Sequence, residues 1–293
     1  GNWGIQDPQA QRKQSDLMVE HDKAVTYTTY LKVDELLSLQ VPLSDGPEHD
    51  ELLFITIHQV YELWFQQILH ELAALQPALE RGDTHRSLAL LSRARTIMKT
   101  CVAQIDVLET MTPLQFASFR ARLSSASGFQ SAQFRELEAV LGRRDHAGAG
   151  AKEGSGMKMA EHLVPGSPAR LRVEAAMGRA SVWHSALRYC HKRGHPMPQE
   201  ALEYDVSLPW EAREDVQEVL IALHRNDPES SMVCEALVDF DEGLGEWRYR
   251  HVKMVERTLG KKIGSGGSSG VGYLAATLFN PVFPDLWEMR SKL

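Results

Sequence analysis

Apolar residues recur at helical spacing along most of the chain. Between 47 and 79, Leu52, Leu53, Phe54, Ile57, Tyr61, Trp64, Phe65, Ile68 and Leu72 cover most of a helix circumference. A helix apolar on so many sides belongs inside a bundle. Residues 85–108 repeat the pattern, with Leu88, Leu91, Ile97, Val102, Ile105 and Leu108 on one face. Thr112-Pro113 reads as an N-cap followed by proline at the first helical position, so a helix should begin there. A shorter helix is expected at 131–141, and further helical segments at 168–193 and 209–226. The last long helix should run over 230–260, where Gly260 closes it. The stretch 142–156, rich in Gly and Ala, reads as a mobile loop. Alternation with period two is scarce. The pattern therefore predicts an all-α fold: a helical bundle forming a single domain over 26–293, with a polar N-terminal arm over 1–25.

Composition narrows the possibilities. The chain has 293 residues, 43% hydrophobic and 24% charged, which is the profile of an ordinary globular protein. Its net charge is −7, with acidic and basic residues interleaved. Nucleic acid is therefore a poor partner, because phosphate binding needs clustered positive charge. No apolar run reaches the roughly 18 residues of a membrane span, and residues 1–23 lack the apolar core of a secretory signal. Three well-separated cysteines, Cys101, Cys190 and Cys234, form neither a disulfide framework nor a C-x-x-C motif. These features together predict a reducing, cytoplasmic setting.

Two histidines lie on apolar stripes. Leu237, Phe240, Leu244, Trp247, His251 and Met254 recur at spacings of three and four, so His251 points into the core. Phe54, His58, Tyr61 and Phe65 share a face in the same way. Either histidine alone reads as a core residue satisfied by a hydrogen bond. Two of them on separate core helices also suit a haem, which needs one axial imidazole and a distal group. No His-Glu-x-x-His occurs, and no histidine has a Glu three residues before it, which argues against a zincin and a carboxylate di-iron bundle. Two further features bear two readings each. Gly264-Ser-Gly-Gly-Ser-Ser-Gly-Val-Gly272 is either a flexible linker or a loop that closes on a small polar ligand. Arg120, beside Phe116 and Phe119, is either a solvated surface residue or a clamp for a carboxylate.

Several motifs together resemble the tryptophan 2,3-dioxygenase family. They are Tyr27-Thr-Thr-Tyr30-Leu31, Phe54-Ile-Thr-Ile-His58-Gln-Val-Tyr-Glu-Leu-Trp64, Leu108-Glu-Thr-Met-Thr-Pro113 and Ser127-Gly128-Phe-Gln-Ser131. Trp247-Arg-Tyr-Arg-His251, the glycine-rich loop and Phe283-Pro-Asp-Leu-Trp287 complete the set, in the family's order from residue 27 onward. The resemblance implies a homotetrameric, cytosolic, all-α enzyme whose bundle encloses a b-type haem. The implied reaction takes L-tryptophan and O₂ to N-formylkynurenine by opening the indole 2,3 bond. By position, His251 would be the proximal iron ligand and His58 the distal histidine facing the indole N–H. Phe54 and Phe116 would line the pocket, and Arg120 would hold the substrate carboxylate. Ser265 would contact the amino-acid end of the substrate, and Ser127 and Gly128 would lie beside the haem. Tyr27, Tyr30 and Leu31 would close the pocket from a neighbouring subunit.

Two positions depart from the family pattern. Ser265 stands where threonine is usual, and Ile57 where threonine or glutamine is common. The departures are either core drift or a sign of altered chemistry. In the second case the chain would be a haem monooxygenase that converts a substituted tryptophan to an oxindole. A haem carrier or sensor on the same scaffold is a third reading, and the amino-acid clamp formed by Arg120, His58 and Ser265 argues against it.

Overall fold

The structure is a computed structural model that describes residues 25–46, 48–124, 126, 128–145, 160–260, 275 and 277–293. It divides into two compact units, Gly1–Leu43 and Ser44–Leu293. The first 24 residues of the expected arm lie outside the described residues, as do most of the expected 142–156 loop and the glycine-rich loop with Ser265.

The described part of the first unit holds two short helices, α1 (Tyr27–Leu31) and α2 (Val33–Leu37), neither of which buries a residue. Thr26 opens α1 through a reciprocal box with Thr29, in which each side chain bonds the other's backbone N–H. Lys32 joins the helices in the left-handed region, at φ 51°, a conformation that L residues adopt sparingly.

The second unit is built on three long helices: α3 (His49–Glu80), α4 (Thr84–Leu108) and the last of the three, Pro228–Leu259. Between them in sequence come α5 (Pro113–Arg120), α6 (Ala132–Leu141), α7 (Pro168–Met177), α8 (Val182–Lys192), α9 (Gln199–Leu202) and α10 (Glu214–Asn226). The long Pro228–Leu259 helix is α11, and α12 (Pro284–Glu288) follows it. The described residues contain no strand. Helix α4 packs against both α3 and α11, while α3 also meets α6 and α8. Ile68, Leu72, Leu75 and Leu79 of α3 are buried beside Met98 and Ile105 of α4 and Phe240 and Leu244 of α11. Each such side chain contributes about 1.5–3 kcal/mol of burial.

Local chemistry sets the helix ends. Thr112 and Gln115 form a capping box with Pro113 at the first position, as the sequence predicts. Ser131 caps α6 and Asp227 caps α11. The expected helical stretch over 168–193 is in fact two helices. Gly178 ends α7, and Ser181 starts α8 by accepting from the His184 N–H while His184 Nδ1 faces the Ser181 N–H. The segment after 209 becomes helical only at Glu214, because Asp285 engages it first. Its carboxylate accepts from Trp210 Nε1, the Arg213 N–H and Gln217 Nε2.

A second buried carboxylate ties 282–287 to α11. Asp241 accepts from the Val282 and Phe283 backbone N–H groups and from Trp287 Nε1. A third, Glu138 of α6, lies among guanidinium groups. Arg135 donates to it at 2.7 Å, Arg143 at 2.8 Å and Arg248 of α11 at 3.1 Å. Burial alone would raise the Glu138 pKa, but the three cations hold it at about 2. All three cysteines are buried and free, as expected. No helix among the described residues is long and apolar enough to cross a membrane.

Candidate functional site

Helices α3, α5 and α11 meet around the two stripe histidines, with α5 packed against both of the others. Phe54 and His58 stand one turn apart on α3, their ring centroids 4.2 Å apart. Phe116 and Phe119 of α5 each pack 5.6 Å from Phe54, giving an aromatic wall beside the imidazole. Arg120 is partly buried at the C-terminal end of the same helix, where the helix dipole favours a cation. Gly128 begins a 3₁₀ turn over Gly128–Gln130, and space is open where a Cβ would project from it.

The His58 side chain is exposed rather than turned into the core as its stripe predicts, with Phe54 packed against its ring. Its Nδ1 lies 2.7 Å from the Phe54 carbonyl oxygen. A carbonyl can only accept, so Nδ1 carries the proton, and in the neutral ring Nε2 keeps a lone pair. Burial lowers the His58 pKa, against the opposing pull of the Phe54 carbonyl and the Glu62 charge. Glu62, one turn further along α3, accepts from Ser131 Oγ and Gln133 Nε2. It thereby fastens the start of α6 to the helix that carries His58.

His251 comes from the facing helix. Its ring stacks on Trp247 at 4.9 Å and 11°, and Trp247 packs on Phe134 at 4.7 Å. Burial lowers the His251 pKa to about 4, and the nearby His58 and Arg135 push it the same way. The imidazole is thus neutral at neutral pH, the form in which histidine ligates metals. Among the described residues its buried Nδ1 has no hydrogen-bond partner, and Nε2 is the ring's other nitrogen. The described residues contain no group of three or more His, Cys, Asp or Glu side chains placed to hold an ion. A lone neutral imidazole on an apolar, aromatic face fits the single axial ligand of a haem and does not fit a bare ion held by side chains.

Of the residues expected from the sequence, Phe54, His58, Phe116 and Arg120 gather on the α3–α5 side, and His251 faces them from α11. Ser127 and Ser265 lie outside the described residues. Tyr27, Tyr30 and Leu31 are 78%, 75% and 45% exposed on α1. Ile57 is 5% exposed and belongs to the bundle core. Three contributors were not singled out from sequence: Trp247, Phe119 and Glu62. Trp247 left a signal, since it precedes His251 by one turn on the same stripe.

Comparison with known proteins identifies the family of the chain. The profile of the tryptophan 2,3-dioxygenase family matches residues 11–152 and 217–293. A tryptophan 2,3-dioxygenase of Anaeromyxobacter sp. (strain K) is 54% identical over 93% of this chain and 98% of its own length. One from Herpetosiphon aurantiacus is 52% identical over 92% of this chain and 99% of its own length. Another, from Caulobacter vibrioides, is 40% identical over 92% and 98% respectively.

Proposed function

We infer the division of labour in the site from one premise: the chain belongs to the tryptophan 2,3-dioxygenase family and is an enzyme of tryptophan dioxygenation. Its overall reaction joins L-tryptophan and O₂ into N-formylkynurenine, with both oxygen atoms kept and the indole 2,3 bond broken. When bound, a b-type haem supplies the oxygen chemistry, and the protein supplies ligation, orientation and a dry pocket.

His251 would hold the haem iron through Nε2, with Trp247 stacked on its ring to fix the ring's plane. His58 is the group that meets the indole. Its Nε2 lone pair accepts the indole N–H, which turns the 2,3 edge of the ring toward the reacting centre and favours electron flow toward C3. Phe54 and Phe116 flank the indole, with Phe119 as their buried support. Arg120 grips the substrate carboxylate through paired charge-assisted hydrogen bonds. Ser265 contacts the amino-acid end of the substrate, and Ser127 and Gly128 border the haem; these three roles rest on the resemblance.

Tyr27, Tyr30 and Leu31 sit on a helix of five residues that buries none of them. Exposed aromatic and aliphatic groups of this kind suit a contact between subunits, and we assign them to the pocket of a neighbouring protomer in a homotetramer. Three free thiols suit a reducing, cytoplasmic setting.

The single observation that carries this reading is the 2.7 Å contact between His58 Nδ1 and the Phe54 carbonyl, because it leaves Nε2 as an acceptor. The test is product mass from haem-loaded, reduced enzyme given L-tryptophan and labelled O₂. Two labelled atoms in a ring-opened product are expected. One labelled atom, or turnover of substituted indoles alone, would reject it.

A further inference from the structure

The guanidinium cluster around Glu138 serves no step described above, yet a continuous line of ring contacts joins it to the histidine assigned to the iron. The Arg135 guanidinium lies 5.3 Å from the centre of the Phe134 ring. Phe134 packs on Trp247, and Trp247 stacks on His251 at 4.9 Å. Arg248, in the same helix as His251, reaches the same carboxylate as Arg135. Three cations thus surround one acid. On α11, Asp241 accepts from the backbone N–H groups of Val282 and Phe283. Arg135 and Arg248 thus place two buried guanidinium groups around one buried carboxylate. Arg135 is only 6% exposed, and its Nε is buried without a partner.

A second observation points the same way. Among the described residues, buried His251 Nδ1 has no acceptor. A carboxylate or carbonyl at that nitrogen would make the ring a stronger donor and stabilise ferric iron. Without one, the ligand is a plain neutral imidazole. Both features favour the state of the iron with one more electron.

We propose that Arg135 and the buried guanidinium cluster raise the reduction potential of the iron held by His251, and so keep it in the ferrous state that dioxygenation requires. Arg135 acts through field and packing, as a positioning residue. The step is Fe(III) plus one electron from an external one-electron reductant giving Fe(II), with no bond broken. The proposal rests on the assignment of His251 as axial ligand.

The experiment is a spectroelectrochemical titration of the haem-loaded whole protein, followed at the Soret band, for wild type, R135Q and R135K. At the wild-type midpoint, R135Q should lower the ferrous-to-ferric ratio about tenfold, the order expected for loss of one buried charge. That corresponds to roughly 59 mV for one electron. R135K keeps the charge and should stay within twofold. Glu138 retains Arg143 and Arg248 in both variants, so neither leaves an uncompensated buried carboxylate. If circular dichroism shows R135Q unfolded, R143Q carries the test, with a two- to threefold fall expected. An unshifted R135Q (or, in its place, R143Q) overturns the proposal, as does an R135K shifted as far as R135Q. Failure of the ligand assignment would look different: wild-type ferrous protein would lack a histidine-ligated deoxy spectrum, or H251A would keep one.

Discussion

His58 Nδ1 donates to the carbonyl oxygen of Phe54, one turn earlier in α3, at 2.7 Å. The helix backbone thus chooses the tautomer of the ring proposed to face the substrate. Replacement by alanine should lower kcat about a hundredfold or more, the usual scale for a positioned acid–base group, while haem uptake persists. Because burial lowers the His58 pKa below 6.5, the neutral acceptor persists as pH falls through 6.5. The acid limb of kcat/KM should therefore lie below that value. A limb centred above pH 6.5 would contradict the assignment.

Arg120→Ala should weaken tryptophan binding by about 2–3 kcal/mol, the scale of a broken charge-assisted pair. That is roughly 30- to 150-fold in dissociation constant, with a smaller effect on kcat. Equilibrium titration with L-tryptophan checks it, and unchanged affinity would remove Arg120 from the site.

His251→Ala should abolish stable haem binding while leaving the helical far-UV spectrum in place, since its neighbours Phe240, Leu244 and Trp247 still fill the stripe. A variant that keeps a normal Soret band after gel filtration would show that another residue holds the iron.

Glu138→Ala leaves three buried or half-buried guanidinium groups without their carboxylate. Breaking a buried ion network in this way costs about 3–5 kcal/mol, to be read from urea denaturation. The wild type should show the matching pH dependence. The folded Glu138 pKa is about 2 against the ordinary 4.5. Its contribution is therefore complete above pH 4.5 and is lost as pH falls toward 2. If stability does not decline over that range, the network contributes little.

The fold was largely legible because its signals are local. The stripe from Leu237 to Met254, the Thr112-Pro113 start and the Gly260 stop are each contained within a few turns, and all appear in the structure. The break at Gly178 was also written locally, in Gly178 and Ser181, but helical residues on both sides outweighed it. The late start of α10 was not legible, because it depends on Asp285, 72 residues from Arg213. The site divides along the same line. His58 and His251 announce themselves as polar residues on apolar stripes. The Glu138–Arg248 contact spans 110 positions and leaves no periodic trace.

Asp241 also imposes an order in time. Its three donors lie in 282–287, at least 41 positions further along the chain, and ribosomes release them after the whole of α11. Until they emerge, the carboxylate has none of these partners, and α11 is held by its packing on α4. The clasp between α11 and the segment 282–287 can therefore close only after synthesis has passed Trp287.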